Sequence, residues 1–172
     1  ERTGRALRRF GKKIFFVVNK IDTPKNEDLL ADFYQLDEDL YPVSAEQGLG
    51  VNDLLDEVVK NFKQEEGDGK NECGRIIRIA IIGRPNVGKS SLLNRLLGEE
   101  RVVVDEEPGT TRDSIDTELQ KGSQNYLLID TAGIRRGAKS ATKVERYSVQ
   151  GAMRSIERAD ICLLLLDAVE GL

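Results

Sequence analysis

An α/β fold with a mostly parallel sheet is predicted by three features of the 172-residue sequence. Short runs of β-branched, leucine and aromatic residues recur along it, amphipathic stretches at helical spacing alternate with them, and glycine-rich or polar turns stand at their ends. The run at 14–18 (IFFVV) reads as a strand buried on both faces. A polar turn and a helix around 26–34 follow, then a shorter strand at 41–43. Val51, Leu54, Leu55, Val58, Val59 and Phe62 fall at i, i+3, i+4, i+7, i+8 and i+11, one apolar stripe of an amphipathic helix. Residues 64–74 (QEEGDGKNECG) are charged and glycine-rich and read as a linker.

Beyond that linker the alternation resumes. Residues 76–82 form a buried-strand candidate, and a glycine-rich turn leads to a helix carrying Leu92, Leu93, Leu96 and Leu97. Residues 99–112 read as a loop. Two strands are expected at 114–120 and 126–129, joined by the turn Lys121-Gly122-Ser123. A helix with Val149, Ala152, Met153 and Ile156 on one face precedes a last strand at 161–166. No repeat of solenoid period interrupts this order.

Composition narrows the chemistry. The chain has 26 basic and 30 acidic side chains, two cysteines and no histidine. A histidine general base, a histidine triad and a His-ligated metal are therefore excluded. Cys73 and Cys162 cannot fill a structural zinc site and read as free thiols in a reducing compartment. The longest apolar run, 161–166, is far short of the roughly 18 residues of a membrane helix, and the start of the sequence has no signal-peptide pattern. A soluble, cytoplasmic chain without membrane contact is expected. A net charge of −4 argues against direct nucleic-acid binding. The basic stretch Arg2, Arg5, Arg8, Arg9, Lys12, Lys13 reads as the solvated face of a helix end.

The strongest motif is Gly83-Arg84-Pro85-Asn86-Val87-Gly88-Lys89-Ser90, a G-x-x-x-x-G-K-[ST] match between an expected strand and an expected helix. A chance match in a chain of this size occurs about once in a hundred. Its glycines let backbone N–H groups of Asn86, Val87, Gly88, Lys89, Ser90 and Ser91 close around phosphates, and the helix N-terminus adds positive potential. Lys89 would reach the β- and γ-phosphates and the Ser90 hydroxyl would take Mg²⁺. Asp130-Thr131-Ala132-Gly133 is a weak motif alone, but it follows a strand. There Asp130 would hold Mg²⁺ through a water and the Gly133 N–H would face the γ-phosphate. Thr111, in preference to Thr110, would complete the metal shell from the loop between.

Asn19-Lys20-Ile21-Asp22 directly follows the strand at 14–18. Guanine presents N1–H and N2–H₂ side by side, and one carboxylate, that of Asp22, accepts both; adenine lacks the pair. Asn19 would support the loop and meet the base's other edge, and the Lys20 stem would cover the ring. Ser44-Ala45 follows the strand at 41–43 and would offer a backbone N–H to guanine O6.

These elements together resemble the translation-factor-like GTPases. More narrowly, GRPNVGKSSLLNRLLGEERVVV, PGTTRDSID, LIDTAGIRRGAKS and IERADICLLLLDAVEGL are similar to the second G domain of the tandem-G-domain ribosome-assembly GTPases of the Der/EngA family. IFFVVNKID and YPVSAEQGLGVNDLLDEV resemble the back half of the first. The resemblance implies a P-loop NTPase three-layer sandwich, GTP and GDP as ligands, and work on a large-subunit ribosome assembly intermediate. It also implies a K⁺-assisted reaction, with Asn86 and switch-loop carbonyls holding the ion, because Ile134 stands where Ras-like enzymes carry the water-orienting glutamine. The acidic run Asp105-Glu106-Glu107 and the pair Gly137-Ala138 depart from the family pattern.

The base-recognition motifs precede the phosphate motifs, the reverse of an ordinary G domain. Residues 1–63 thus read as a base-recognition half, 64–74 as a linker and 75–172 as a phosphate half. Two accounts compete: a fragment with half of each tandem domain, or one G domain in circularly permuted order. Both halves are expected to associate, within a chain or as a domain-swapped dimer, because the strand at 161–166 would otherwise be an exposed apolar edge. Nucleotide affinity is expected to be micromolar or poorer. The alternative function is a truncated or engineered fragment that binds nucleotide weakly or not at all and has no turnover.

Overall fold

The computed structural model describes residues 11–36, 39–64, 76–99, 116–132, 134 and 145–171. In chain order these form β1 (Lys13–Asn19), a 3-10 helix (Pro24–Leu36), β2 (Leu40–Pro42), α1 (Val51–Gln64), β3 (Ile76–Gly83), α2 (Lys89–Glu99), β4 (Thr117–Lys121), β5 (Gln124–Ile129), α3 (Glu145–Arg158) and β6 (Ile161–Asp167). All six strands join one sheet in the order β2-β1-β6-β3-β5-β4. Every pairing is parallel except β4 with β5, where Gly122-Ser123 closes a hairpin.

The sheet is centred on β6. Its register runs from Lys13↔Ile161 to Asn19↔Asp167 on one side and from Ile79↔Ile161 to Gly83↔Leu165 on the other. The apolar strand that would have been an aggregation-prone edge is thus enclosed, by β1 from one half of the sequence and β3 from the other.

Strand alternation divides the core into two layers. Phe15, Val17, Ile79, Ile81, Leu163 and Leu165 face one side, where Val51, Leu54, Leu55 and Val58 of α1 and Leu92, Leu93 and Leu96 of α2 cover them. Phe16, Ala80, Ile82, Cys162 and Leu164 face the other, beneath Ile156 and Ala159. Val18 and Ile21 continue that side against Leu30 and Phe33. The result is the three-layer α/β sandwich expected from the sequence. Burial pushes the Cys162 thiol up to about 11, which leaves it an inert core residue. Cys73 and the basic stretch before residue 11 lie outside the described residues, as does Arg75.

Two helices differ from expectation. The segment expected as an ordinary helix at 26–34 is 3-10 over Pro24–Leu36. Leu30, Phe33 and Leu36, which pack together under β1, stand at i, i+3 and i+6, the three-residue repeat of that helix. In α3 the buried stripe is Ser155, Ile156 and Ala159, with Ala152 partly buried, whereas Met153 is exposed. Ser155 is buried because its hydroxyl donates to the Gly151 carbonyl (2.9 Å) and lies 3.5 Å from Asp130 Oδ2, so a polar residue takes the place the apolar pattern gave to methionine. The Val149 side chain lies outside the described residues.

Polar ties link distant segments. Arg78 at the start of β3 forks onto Asp160, with Nη2 2.8 Å from Oδ1 and Nε 3.1 Å from Oδ2, and the pairing raises the Arg78 pKa. Lys121 reaches across from β4 to Asn52 Oδ1 (2.8 Å), fastening the hairpin to α1.

Candidate nucleotide-binding site

Parallel strands place their carboxyl ends along one edge of a sheet, and the loops that leave them share a crevice. The loops following β1, β2, β3, β5 and β6 all leave that edge. Asn19 to Asp22, Ser44-Ala45, Gly83 to Ser90 and Asp130 stand on the loops after β1, β2, β3 and β5.

β3 runs into the phosphate loop and α2. The turn needs left-handed backbone at Asn86 (φ 62°) and Gly88 (φ 100°), and the Gly88 carbonyl accepts the first helical bond, from Leu92 (2.9 Å). Val87 is buried and pins the loop to the core; Asn86 is exposed at its crest. The Lys89 ammonium folds back over the loop, donating to the carbonyls of Gly83 (2.9 Å) and Arg84 (2.5 Å). Burial lowers its pKa, so the charge is held by peptide dipoles rather than by water. Ser90, the first turn of α2, donates its hydroxyl to the Ile134 carbonyl (3.1 Å). That bond ties the phosphate loop to the segment after β5.

The base-recognition loop docks on the phosphate loop through one side chain. Asn19 ends β1 and is buried. Its Nδ2 donates to the Val87 carbonyl (2.8 Å) and its Oδ1 accepts from the Ala45 N–H (2.9 Å), so a single amide joins the loops after β1, β2 and β3. The Ala45 amide, expected on guanine O6, is given to Asn19 here. Asn19→Ala strands a buried carbonyl and a buried N–H. It is expected to destabilise the fold by about 2 kcal/mol or more, seen as a lower urea midpoint.

Asp22 is held from β2's loop. Ser44, fully buried, donates from Oγ to Asp22 Oδ1 (2.6 Å) and accepts from the Gln47 N–H (3.1 Å). Beside it a cleft of about 380 Å³ opens between Ala45 and Glu46 on one wall and Ser91, Asn94 and Arg95 of α2 on the other. Arg95 donates to the Glu46 carbonyl, bridging the walls.

After β5, Asp130 has left-handed backbone (φ 55°). Its N–H donates to Asp116 Oδ1 (2.9 Å), and Asp116 also receives Arg158 from α3. Asp130 is therefore positioned by the β4 entrance and by α3. Thr110, Thr111, Gly133, the acidic run and Gly137-Ala138 lie outside the described residues.

Sequence reasoning missed Asp116, Ser155, Arg95 and Asp167. Asp116, Arg95 and Asp167 find partners on other elements, Ser155 bonds within its own helix as well as approaching Asp130, and no local pattern marks them. The one available signal was position: Asp167 ends a strand in register with Asn19, which ends its own.

Comparison with known proteins identifies the family. The family model described as 50S ribosome-binding GTPase aligns with residues 78–172, more than half of the chain. The chain belongs to this GTPase family. Curated proteins named GTPase Der are similar to it over nearly its whole length. The one from Geotalea uraniireducens (strain Rf4) is 55% identical over 166 residues, covering 96% of this chain and 37% of that protein. That of Caldanaerobacter subterraneus subsp. tengcongensis is 51% identical over 176 residues (99% and 39%). For Clostridium botulinum (strain Loch Maree / Type A3) the identity is 50% over 173 residues (100% and 39%). The chain thus spans less than two-fifths of the length of these relatives. It is a G-domain chain of the Der/EngA type. Within this GTPase family's fold, the phosphate loop of β3 and the base loop of β1 stand on either side of β6.

Proposed function

We propose that this chain binds guanine nucleotide and hydrolyses GTP to GDP and phosphate, in the cytoplasm, as part of the machinery that assembles the large ribosomal subunit. The observation that carries the reading is the Asn19 amide, which bonds the phosphate loop and the base loops into one site. Residues 1–63 and 75–172 act in it as halves of one G-domain-like unit, in a chain order that puts base recognition first; the shared sheet supports closure within one chain.

Each group has a role in the reaction. Lys89 exchanges the Gly83 and Arg84 carbonyls for β- and γ-phosphate oxygens, and the N–H groups from Asn86 to Ser91 surround the phosphate chain. Asp22 reads N1–H and N2–H₂ of guanine, kept in place by Ser44. Among the described residues no cluster of three acidic or cysteine ligands exists. Mg²⁺ in a phosphate site needs only one or two protein oxygens beside phosphates and water; the hard oxygens of Ser90 and Asp130 would be that set, joined by Thr111. When bound, Mg²⁺ neutralises charge on the β- and γ-phosphates. The side chain of Ile134 cannot orient water, so that task falls to the Gly133 N–H and Thr111. The exposed Asn86 amide oxygen is the protein ligand for K⁺, an ion that takes amide and carbonyl oxygens.

The test is phosphate release from GTP by the purified chain in sodium or potassium buffer, with a parallel titration of fluorescent GDP and ADP analogues. Slow turnover, raised severalfold by potassium and abolished by chelating Mg²⁺, is expected, with preference for GDP. Guanine binding without turnover in either buffer would establish the binding-only alternative. No preference for GDP over ADP would remove the reading altogether.

A further inference from the structure

We propose that Asp167 is a positioning residue for base recognition: by holding the Lys20 ammonium at the end of β6, it fixes the base loop and sets the Lys20 stem against the guanine pocket. This rests on the guanine-site reading above.

Asp167 is the last residue of β6 and lies in register with Asn19. Its side chain is 5% exposed, an unusual burial for a carboxylate at a loop. Oδ1 accepts the N–H groups of Val169 (2.9 Å) and Glu170 (3.3 Å), which folds the chain over at the strand end. Oδ2 is buried and accepts no well-aligned hydrogen bond; what faces it is the Lys20 ammonium, paired by charge at 2.5 Å. Asp167 therefore has two separable tasks, a turn on one oxygen and a tie to the base loop on the other.

Lys20 shows why the tie matters. Its backbone is left-handed (φ 73°), a conformation strained for a side chain of this size. The backbone on its other side is fastened as well, since the Ala168 N–H donates to the Asn19 carbonyl (3.0 Å). The same Asp167 contact raises the Lys20 pKa, so the side chain stays charged two residues before Asp22 in the same loop. With both ends of Lys20 held, its aliphatic stem has one path, and Ile21 and Asp22 leave in one direction. A tied lysine loses little further freedom when a base arrives, the usual source of affinity from preorganisation.

Asp167→Asn separates the tasks. The asparagine carbonyl still accepts from Val169 and Glu170, while its amide cannot hold an ammonium. GDP affinity should fall about tenfold, the scale of the ordering cost that one freed, rotamer-rich side chain adds to binding. In a Lys20→Met background, which keeps an apolar stem, the same change should cost nothing further, because the tie is already gone; Lys20→Met alone should weaken GDP about as much. Circular dichroism at the titration temperature verifies folding, and Lys20→Met, at a half-exposed position, tests the tie should Asp167→Asn not fold. Unchanged GDP binding in Lys20→Met or in Asp167→Asn, or equal losses from Asp167→Asn in both backgrounds, would overturn the inference. Wild-type preference for GDP over ADP, measured alongside, separates the failures: if it is absent, the guanine reading fails, and if it is present while the tie is silent, only this inference does.

Discussion

Asp22→Asn is expected to weaken GDP by about a thousandfold or more and to improve xanthosine diphosphate in the opposite direction. Guanine presents two donors to this position, N1–H and the 2-amino group. An aspartate meets them with two acceptors, whereas an asparagine offers one acceptor and one donor. The donor then faces the 2-amino group, and desolvated groups of like kind are left unpaired, the situation in which sites discriminate by 10⁴ or so. Xanthine keeps N1–H but has a carbonyl at position 2, which the asparagine N–H satisfies. The loop itself should survive, because Ser44 Oγ, now bonded to Asp22 Oδ1 at 2.6 Å, can donate to or accept from an amide. Titration of fluorescent GDP and XDP analogues reads both arms. Equal GDP affinity in variant and wild type would show that another group reads the base.

Gly88→Ala should abolish nucleotide binding and lower the stability of the fold. A Cβ at this position would stand 2.1 Å from Asn19 Nδ2, and the backbone is at φ 100°. Asn19 has no room to yield, since it is buried and committed to Val87 and Ala45. Left-handed backbone costs about 1–2 kcal/mol for a non-glycine residue, and an overpacked contact adds about 1–3. A loss of about 3 kcal/mol, measured by denaturant unfolding, is the expected sum. Gly98→Ala, inside the helix that Gly88 precedes, provides the contrast. There a Cβ meets nothing within 4 Å, so alanine should stabilise α2 by about 0.5–1 kcal/mol. The same substitution ten residues apart should move the midpoint in opposite directions.

Much of this molecule was legible because its signals are local. The strands at 14–18, 76–82 and 161–166 declare themselves by apolar runs, of which 79–82 and 161–165 are buried residue after residue, and α1 and α2 by stripes whose Val51, Leu54, Leu55 and Val58, and Leu92, Leu93 and Leu96, are buried; the Phe62 side chain lies outside the described residues. The phosphate loop was legible because backbone geometry demands particular residues, Gly88 above all. The type of the helix at Pro24–Leu36 was not, because its packing rests on three residues, Leu30, Phe33 and Leu36, within a polar segment. The buried face of α3 was misread because Ser155 satisfies its hydroxyl in place and so passes as core. The charges that hold the site, Asp116 under Asp130 and Asp167 under Lys20, were invisible for a related reason. An acidic residue in a sequence looks solvated until its partner, on another strand or helix, is known.

The pairing of β1 with β6 bears on the order in which this chain acquires structure. These two neighbouring inner strands come from near opposite ends of the described chain, Lys13 opposite Ile161 and Asn19 opposite Asp167. Closing so long a loop must precede any contact that rewards it, which places this chain among slow folders of high contact order. During synthesis β1 would emerge long before its partner. Until β6 is made, the backbone groups on that edge of β1 lack their partner, a window in which a chaperone or another copy of the chain competes with β6 for them.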